Sequence, residues 1–246
     1  MYNRRLSGKL ERALDGAREG GVGHTDIIDF WAECPDDARV HPADIEAFAR
    51  PFVGNLDTFD LECLPSCFAG PLRTARVVLL YLSPGWGQSD VDEAGTEAAQ
   101  ARYGERRRGN QPLDGTSEHL EHFEWWSIRT RIYGESEIVR DRIAFLNLCA
   151  YHSRSFKAHV APAILPSSRV AIDWAYDVLF PQAMDGEKVV VCMRAAAQWG
   201  LKPGKTYGKS LYAPKTVRGG HMRKADEHAV IRQEIVDAVR AAIRAG

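Results

Sequence analysis

The sequence contains no apolar run long enough to cross a bilayer, so a membrane-spanning helix is not expected. It has no glycine-rich phosphate loop of the P-loop or dinucleotide type. It also has no G-x-S-x-G elbow. Those absences set aside the standard nucleotide-cradling and serine-hydrolase frameworks. Cysteine is scarce and odd in number, five in all: Cys34, Cys63, Cys67, Cys149 and Cys192. Cys63 and Cys67 are close in sequence but no second pair answers them, so neither a disulfide framework nor a zinc or iron–sulfur site is expected. Cys149 and Cys192 fall inside apolar runs, where a thiol packs as a small hydrophobe. The opening residues, MYNRRLSGKLERALDG, are charged and no apolar stretch follows them. With the unpaired cysteines this predicts no secretion signal and a cytoplasmic location. No metal or other cofactor is implied, and repeats and low-complexity tracts are missing.

Acidic residues are absent from one long span, Lys188 to Ala225. The same span carries Lys188, Arg194, Lys202, Lys205, Lys209, Lys215, Arg218, Arg223 and Lys224, with Trp199, Tyr207 and Tyr212 interleaved. Cations alternating with flat rings are the footprint of a phosphate-backbone site with stacking partners, although a solvated loop has the same composition. Arg106-Arg107-Arg108 offers a second, smaller patch. The net charge of −1 argues neither way.

Apolar residues make up 45% of the 246, enough for a well-filled core. Ala75–Asp90, ARVVLLYLSPGWGQSD, is the stretch around which the chain is organised. Val77 to Tyr81 reads as a strand buried on both faces, stopped by Ser83-Pro84-Gly85. Ile143–Cys149 and Lys188–Met193 are further buried strands, and Lys209–Ala213 is a short fourth. Between them fall helical patterns. Tyr2–Glu19, Asp26–Glu33 and Pro42–Arg50 precede the first strand. Val91–Tyr103 is weakly helical, and Gly104–Gly115 reads as a surface loop. A helix capped by Thr116 or Ser117 then runs to about Ile132, with Leu120, Phe123 and Ile128 inward and Trp125 or Trp126 beside them. Ser167 or Ser168 caps another, stopped by Pro181. An Ala-rich helix ends near Trp199, and Asp226–Ala245 is amphipathic, with Ile231, Ile235, Val239 and Ile243 at four-residue spacing. The expectation is a single three-layer α/β/α domain over 1–246 with a central, mainly parallel four-stranded sheet and a helical N-terminal extension at about 1–72.

Right-handed crossovers place every strand exit on one edge, where ligands bind in open parallel sheets. The first exit offers Ser83, Pro84, Gly85, Trp86, Gln88 and Asp90. The second offers Asn147, Tyr151, His152, Ser153 and Arg154. The third gives Arg194, and the stretch after the fourth gives His221, Arg223 and Lys224. Such a set suits a planar heterocycle with hydrogen-bonding edges beside a phosphate. Asn147 is the sharpest of these. A carboxamide in a buried strand must find partners, either in neighbouring backbone or in a ligand's paired donor and acceptor. His119 and His122 stand three apart on a helical pattern, a spacing that permits a metal, but the glutamates around them mark a polar face.

The arrangement resembles the uracil-DNA glycosylase superfamily, closest in motif style to its mismatch-specific and single-strand-selective branches. The matching residues are LSPG (Leu82–Gly85), FLNL (Phe145–Leu148) and VVVCMR (Val189–Arg194) followed by Trp199, within roughly Leu64 to Met222. The lead-in LPSCFAGPLRTARVVLL fits the same comparison. Ser83 stands where those branches carry Asn and the classical branch carries Asp. Gly219-Gly220-His221-Met222-Arg223 stands in place of a His-Pro-Ser motif. The resemblance implies a glycosylase-like fold and excision of a damaged or mismatched base from DNA by water attack, after the base is flipped into a pocket. Ser83 with Gln88 or Asp90 would hold the water, and Asn147 would read the base. Trp86 or Tyr151 would stack on it, and His221 or His152 would stabilise the departing base. Pro84, Gly85, Ser153, Arg154 and Arg194 would complete the pocket, with Lys205, Lys209, Arg223 and Lys224 on the DNA. Two rival readings are a non-catalytic nucleic-acid-binding protein of the same fold and a hydrolase of free nucleosides or nucleotides.

Overall fold

The computed structural model describes residues 25–50, 55–114, 120–157 and 161–245, without the side chains of 120–123. Six strands form one sheet: β1 (Phe68–Ala69), β2 (Val77–Tyr81), β3 (Ile143–Asn147), β4 (Val189–Cys192), β5 (Lys205–Tyr207) and β6 (Leu211–Ala213). Their order is β1-β3-β2-β4-β6-β5. The four inner strands run parallel, and β1 and β5 pair antiparallel at the two edges. The expected four parallel strands are therefore present, but the sheet is six-stranded and mixed. Its edge strands, two and three residues long, are too short to carry a strand pattern in sequence.

Register sets where the site falls. Val77 is level with both Ile143 and Val189, so Tyr81, Asn147 and Cys192 end near one edge. Side chains alternate between faces along a strand. Val78, Leu80, Leu146, Val190 and Cys192 face one core, packed against Trp31, Ile172, Phe180 and Trp199. Val77, Leu79, Ile143, Phe145 and Val191 face the other, packed against Trp126, Val139, Ile235, Val239 and Ile243. Each fully buried side chain of this size contributes about 1.5–3 kcal/mol. Residues of the segment 27–72, among them Ile27, Trp31, Leu56 and Leu72, join the first of these cores.

The helices are α1 (Ile27–Ala32), α2 (Ile45–Phe48), α3 (Gln88–Ala94), α4 (Glu97–Arg107), α5 (Leu120–Thr130), α6 (Ser136–Val139), α7 (Ala161–Ile164), α8 (Pro166–Trp174), α9 (Phe180–Asp185) and α10 (Ala229–Arg244). The expected helix over 2–19 and the capping residues Thr116 and Ser117 lie outside the described residues, as do the side chains of His119, Leu120, His122 and Phe123. Ile128, expected to face inward, is exposed.

Other expectations also need correction. The expected loop Gly104–Gly115 is helical to Arg107, because Gly104 has no side chain and α4 can pass close to the Asp36 carboxylate. Arg106 and Arg107 are consequently buried and form no surface patch. Arg106 pairs with Asp114, and Arg107 donates to the carbonyls of Cys34 and Pro35 at 3.3 and 2.9 Å. Neither Ser167 nor Ser168 caps α8. Both are buried inside it, Pro166 occupies its first turn, and the Ser167 N–H donates to the Asp44 carboxylate at 3.0 Å. Pro181 does not stop the chain either. A widened π turn, Ala175–Leu179, leads into α9, where Pro181 sits in the first turn and its missing N–H costs nothing. After Arg194, residues 196–200 form turns and no helix.

Candidate functional site

Asn147 is the last residue of β3 and shares the sheet face of Phe145, two positions earlier. A cavity of about 270 Å³ opens over these two side chains at the carboxyl ends of the inner strands. Ala69 lines it beside Phe145, its neighbour in the β1–β3 ladder. Gly70 follows with φ +85°, and a Cβ there would lie 2.5 Å from the Ile143 carbonyl oxygen. The β2 exit contributes Pro84, Gly85, Trp86 and Gly87, with Ser89 and Asp90 from α3. The β3 exit contributes His152.

Asn147 is 9% exposed. Its Nδ2 donates to the Ser66 carbonyl at 2.9 Å, which fixes the amide plane. Of the two expectations for this residue, the structure shows the first, one N–H given to backbone; the amide oxygen and the second N–H make no hydrogen bond among the described residues.

Asp90 sits in the first turn of α3, where Oδ2 accepts the Gly87 N–H at 2.8 Å and lies 3.5 Å from His152 Nδ1. His152 is 4% exposed, and neither ring nitrogen has a hydrogen-bond partner among the described residues. Its main chain is pinned, because the Asp60 N–H donates to its carbonyl at 2.8 Å. A buried polar group without a partner costs about 1–3 kcal/mol, and such a group lining a cavity marks a place for a ligand or water.

Trp86 is equally fixed. Its indole N–H donates to Asp60 at 2.6 Å, and the Arg154 guanidinium lies over its ring at 3.4 Å. The opposite wall was not anticipated. Trp125 meets Phe145 edge-on at 5.1 Å under the Arg129 guanidinium, and Trp126 donates its indole N–H to the Asp114 carbonyl at 2.6 Å. Arg106, Tyr103, Pro112, Leu113 and Asp114 close that side. Burial pushes the Tyr103 phenol up despite the Arg106 guanidinium beside it. The adjacent tryptophans Trp125 and Trp126 were the available signal in sequence.

Of the anticipated residues, Pro84, Gly85, Trp86, Asp90, Asn147 and His152 line the cavity; the others do not. Ser83 is half-buried beside it, and Gln88 is exposed with its amide donating to Asp92. Tyr151 turns into the opposite core, where its hydroxyl binds the Asp44 carboxylate and accepts the His41 N–H at 3.3 Å. Burial raises its pKa well above the usual phenol range, and Asp44 adds to the shift. Ser153 is buried away from the cavity, Arg154 is exposed behind Trp86, and Arg194 is half-buried. His221 is only partly buried. Partial burial and the charges of Arg129, Arg131 and Lys224 pull its pKa down.

The basic span is split between the two ends of the sheet. Lys209 precedes β6 and donates to the Asp185 carbonyl at 3.1 Å, so it lies at the amino end, away from the cavity. Lys188 does the same with Ala75 at 2.6 Å. Lys205 is level with Ala213 at the carboxyl end, but on the outermost strand. Arg223 and Lys224 are exposed beyond it.

No grouping of three or more His, Cys, Asp or Glu among the described residues is placed to hold a metal ion. Burial pushes the Cys63 thiol up to about 12, which removes it as a nucleophile near neutral pH. No described helix is long and apolar enough to cross a membrane. No protein-family model, curated protein or solved structure matches this chain.

Proposed function

We propose that this α/β protein has a uracil-DNA glycosylase-like architecture and hydrolyses the N-glycosidic bond of a base flipped out of DNA into the cavity. The observation that carries the reading is the presence of Asn147 and the Asp90–His152 pair in one aromatic-walled cavity at the carboxyl ends of parallel strands. Phe145, Trp86 and Trp125 offer flat surfaces to a planar ring. The Asn147 amide, oriented by Ser66, offers one acceptor and one donor to the edge of that ring.

The chemistry follows from what those groups can exchange. Water oxygen bonds to the sugar C1′ as the C1′–N bond breaks, and the bonding pair leaves with the base. Asp90 accepts the water's proton; serine at position 83 is too weak a base for that step near neutral pH. Negative charge then develops on the base. An N–H of His152 and the free N–H of Asn147 are the donors available to meet it. Ser83 and Gln88 have no part in this version, since neither lines the cavity.

The test is base release from oligonucleotides carrying uracil, hypoxanthine, xanthine or a mismatch. Release by the wild-type protein that falls sharply in Asp90→Asn supports the reading. Binding of the same DNA with no release from any of them replaces it with a binding module.

A further inference from the structure

We propose that Arg154 is a preformed phosphodiester fork at the mouth of the cavity, so that the substrate is taken as a nucleic-acid strand and not as a free nucleoside. This rests on the reading that the cavity holds a base. The Arg154 guanidinium lies 3.4 Å from the centre of the Trp86 ring, which is stacking distance. Stacking occupies the face of a guanidinium and leaves its five N–H donors in the plane. Arg154 is exposed and has no hydrogen bond or ion pair among the described residues, so these donors are unused.

The platform beneath it does not move freely. Trp86 is tied to the Asp60 carboxylate through its indole N–H, and the same carboxylate accepts the Glu62 N–H at 3.0 Å. The Asp60 N–H holds the His152 carbonyl, only two residues before Arg154. Arg154 therefore has its planar fork oriented before a ligand arrives, which is the condition for bidentate capture of a phosphate.

Position supports the same assignment. Trp86 lines the cavity and Arg154 does not, so the indole separates the guanidinium from the cavity. A base stacked against the indole would lie two stacking layers, about 7 Å, from the guanidinium. A sugar and its phosphate bridge a gap of that order. The eight residues from Asn147, the last of β3, to Arg154 would then hold one nucleotide at three points: Asn147 on the base edge, His152 beside the glycosidic bond and Arg154 on the phosphate.

The experiment compares Arg154→Gln and Arg154→Lys with the wild type, by equilibrium binding of a fluorescent single-stranded oligonucleotide over a salt series and of the matching phosphate-free nucleoside and mononucleotide. Thermal melting reports whether the fold beneath the platform survives. Expected is a five- to twentyfold loss of oligonucleotide affinity in Arg154→Gln, a salt slope shallower by about one unit, and unchanged nucleoside binding. Arg154→Lys should recover the salt slope but not the full affinity, because it keeps the charge and loses the fork. A mononucleotide weakened as much as the oligonucleotide would place the grip on a terminal phosphate and overturn the strand assignment. Oligonucleotide binding that is unchanged, or nucleoside binding that falls in parallel, would also overturn it. Base release is read separately, so a protein that shows the Arg154 effect but releases no base loses the hydrolase reading and keeps the fork.

Discussion

Replacing Asn147 by alanine separates recognition from folding, and the structure sets the size of both effects. The amide holds the Ser66 carbonyl through Nδ2 at 2.9 Å, whereas the Asn147 main-chain N–H to Cys67, 2.7 Å, does not depend on the side chain. Loss of Nδ2 strips one carbonyl of its partner at a site that water can enter from the cavity, a cost of about 1 kcal/mol. For a chain of this length that lowers Tm by about 2–4 °C. The effect on catalysis is larger. A paired donor and acceptor reading one base edge contribute about 1–3 kcal/mol of discrimination, or roughly 5- to 150-fold in kcat/KM. If the same N–H also meets charge developing on the leaving base, the loss exceeds that range and base release falls below detection. Asn147→Asp is the companion variant. It keeps the shape, sets a carboxylate against the Ser66 carbonyl and adds a further negative charge to the cavity that already holds Asp90 and Asp114. It should lose release more completely than alanine. The assay is single-turnover base release from the oligonucleotide panel, with thermal melting alongside. An Asn147→Ala protein that melts a few degrees lower and releases base at the wild-type rate would refute the reasoning, since the amide would then be serving Ser66 alone.

The remaining predictions concern the two histidines, one glycine and acid stability. His152→Ala should lower release at least tenfold while His221→Ala and Ser83→Ala stay within about threefold of wild type, because only His152 lines the cavity; equal losses in His152→Ala and His221→Ala would contradict that placement. Gly70→Ala should destabilise by more than about 1 kcal/mol, since φ is +85° and the new Cβ would meet the Ile143 carbonyl at 2.5 Å; a melting temperature at or above wild type would rule out the backbone described at this wall. His41 is buried as the neutral ring, its Nδ1 accepting the Ala43 N–H at 3.1 Å and its Nε2 donating to the Phe30 carbonyl at 2.9 Å. Burial holds its pKa below the usual value of 6.5, so its contribution to stability is complete above that pH and is lost as pH falls through the lower folded value. Melting scans should show Tm dropping as pH falls below 6.5, and His41→Gln should flatten the drop; an identical pH dependence in the two proteins would show that His41 does not set it.

What could be read from sequence divides along a physical line. The parallel strands were legible because a buried strand is a short apolar run whose periodicity needs no partner to be recognised, and β2, β3 and β4 fall inside the expected spans. Asp90, Asn147 and His152 followed from them, since the ends of aligned parallel strands must converge. The same rule over-reached at Tyr151 and Ser153. Once past the last ladder residue the chain can turn toward either face, and the buried carboxylate of Asp44 draws the Tyr151 hydroxyl into the opposite core. It over-reached again at Lys209, where a run of cations in sequence straddles β6 and is divided between opposite ends of the sheet.

Helix-borne walls depend on how α4 and α5 dock over the sheet, which no local pattern encodes. Trp125, Trp126, Tyr103 and Arg106 were missed for that reason. Arg106 is the sharper case. Three consecutive arginines read as a solvated patch, yet helical geometry turns neighbouring positions in different directions, and Asp114 supplies the charge that lets one of them be buried. A signal did exist for the side of the sheet on which the cavity lies. Asn147 shares strand parity with Phe145 and Ile143, so its amide had to fall on the face that carries the Phe145 ring. The pair of tryptophans preceding β3 was the nearest set able to close over it.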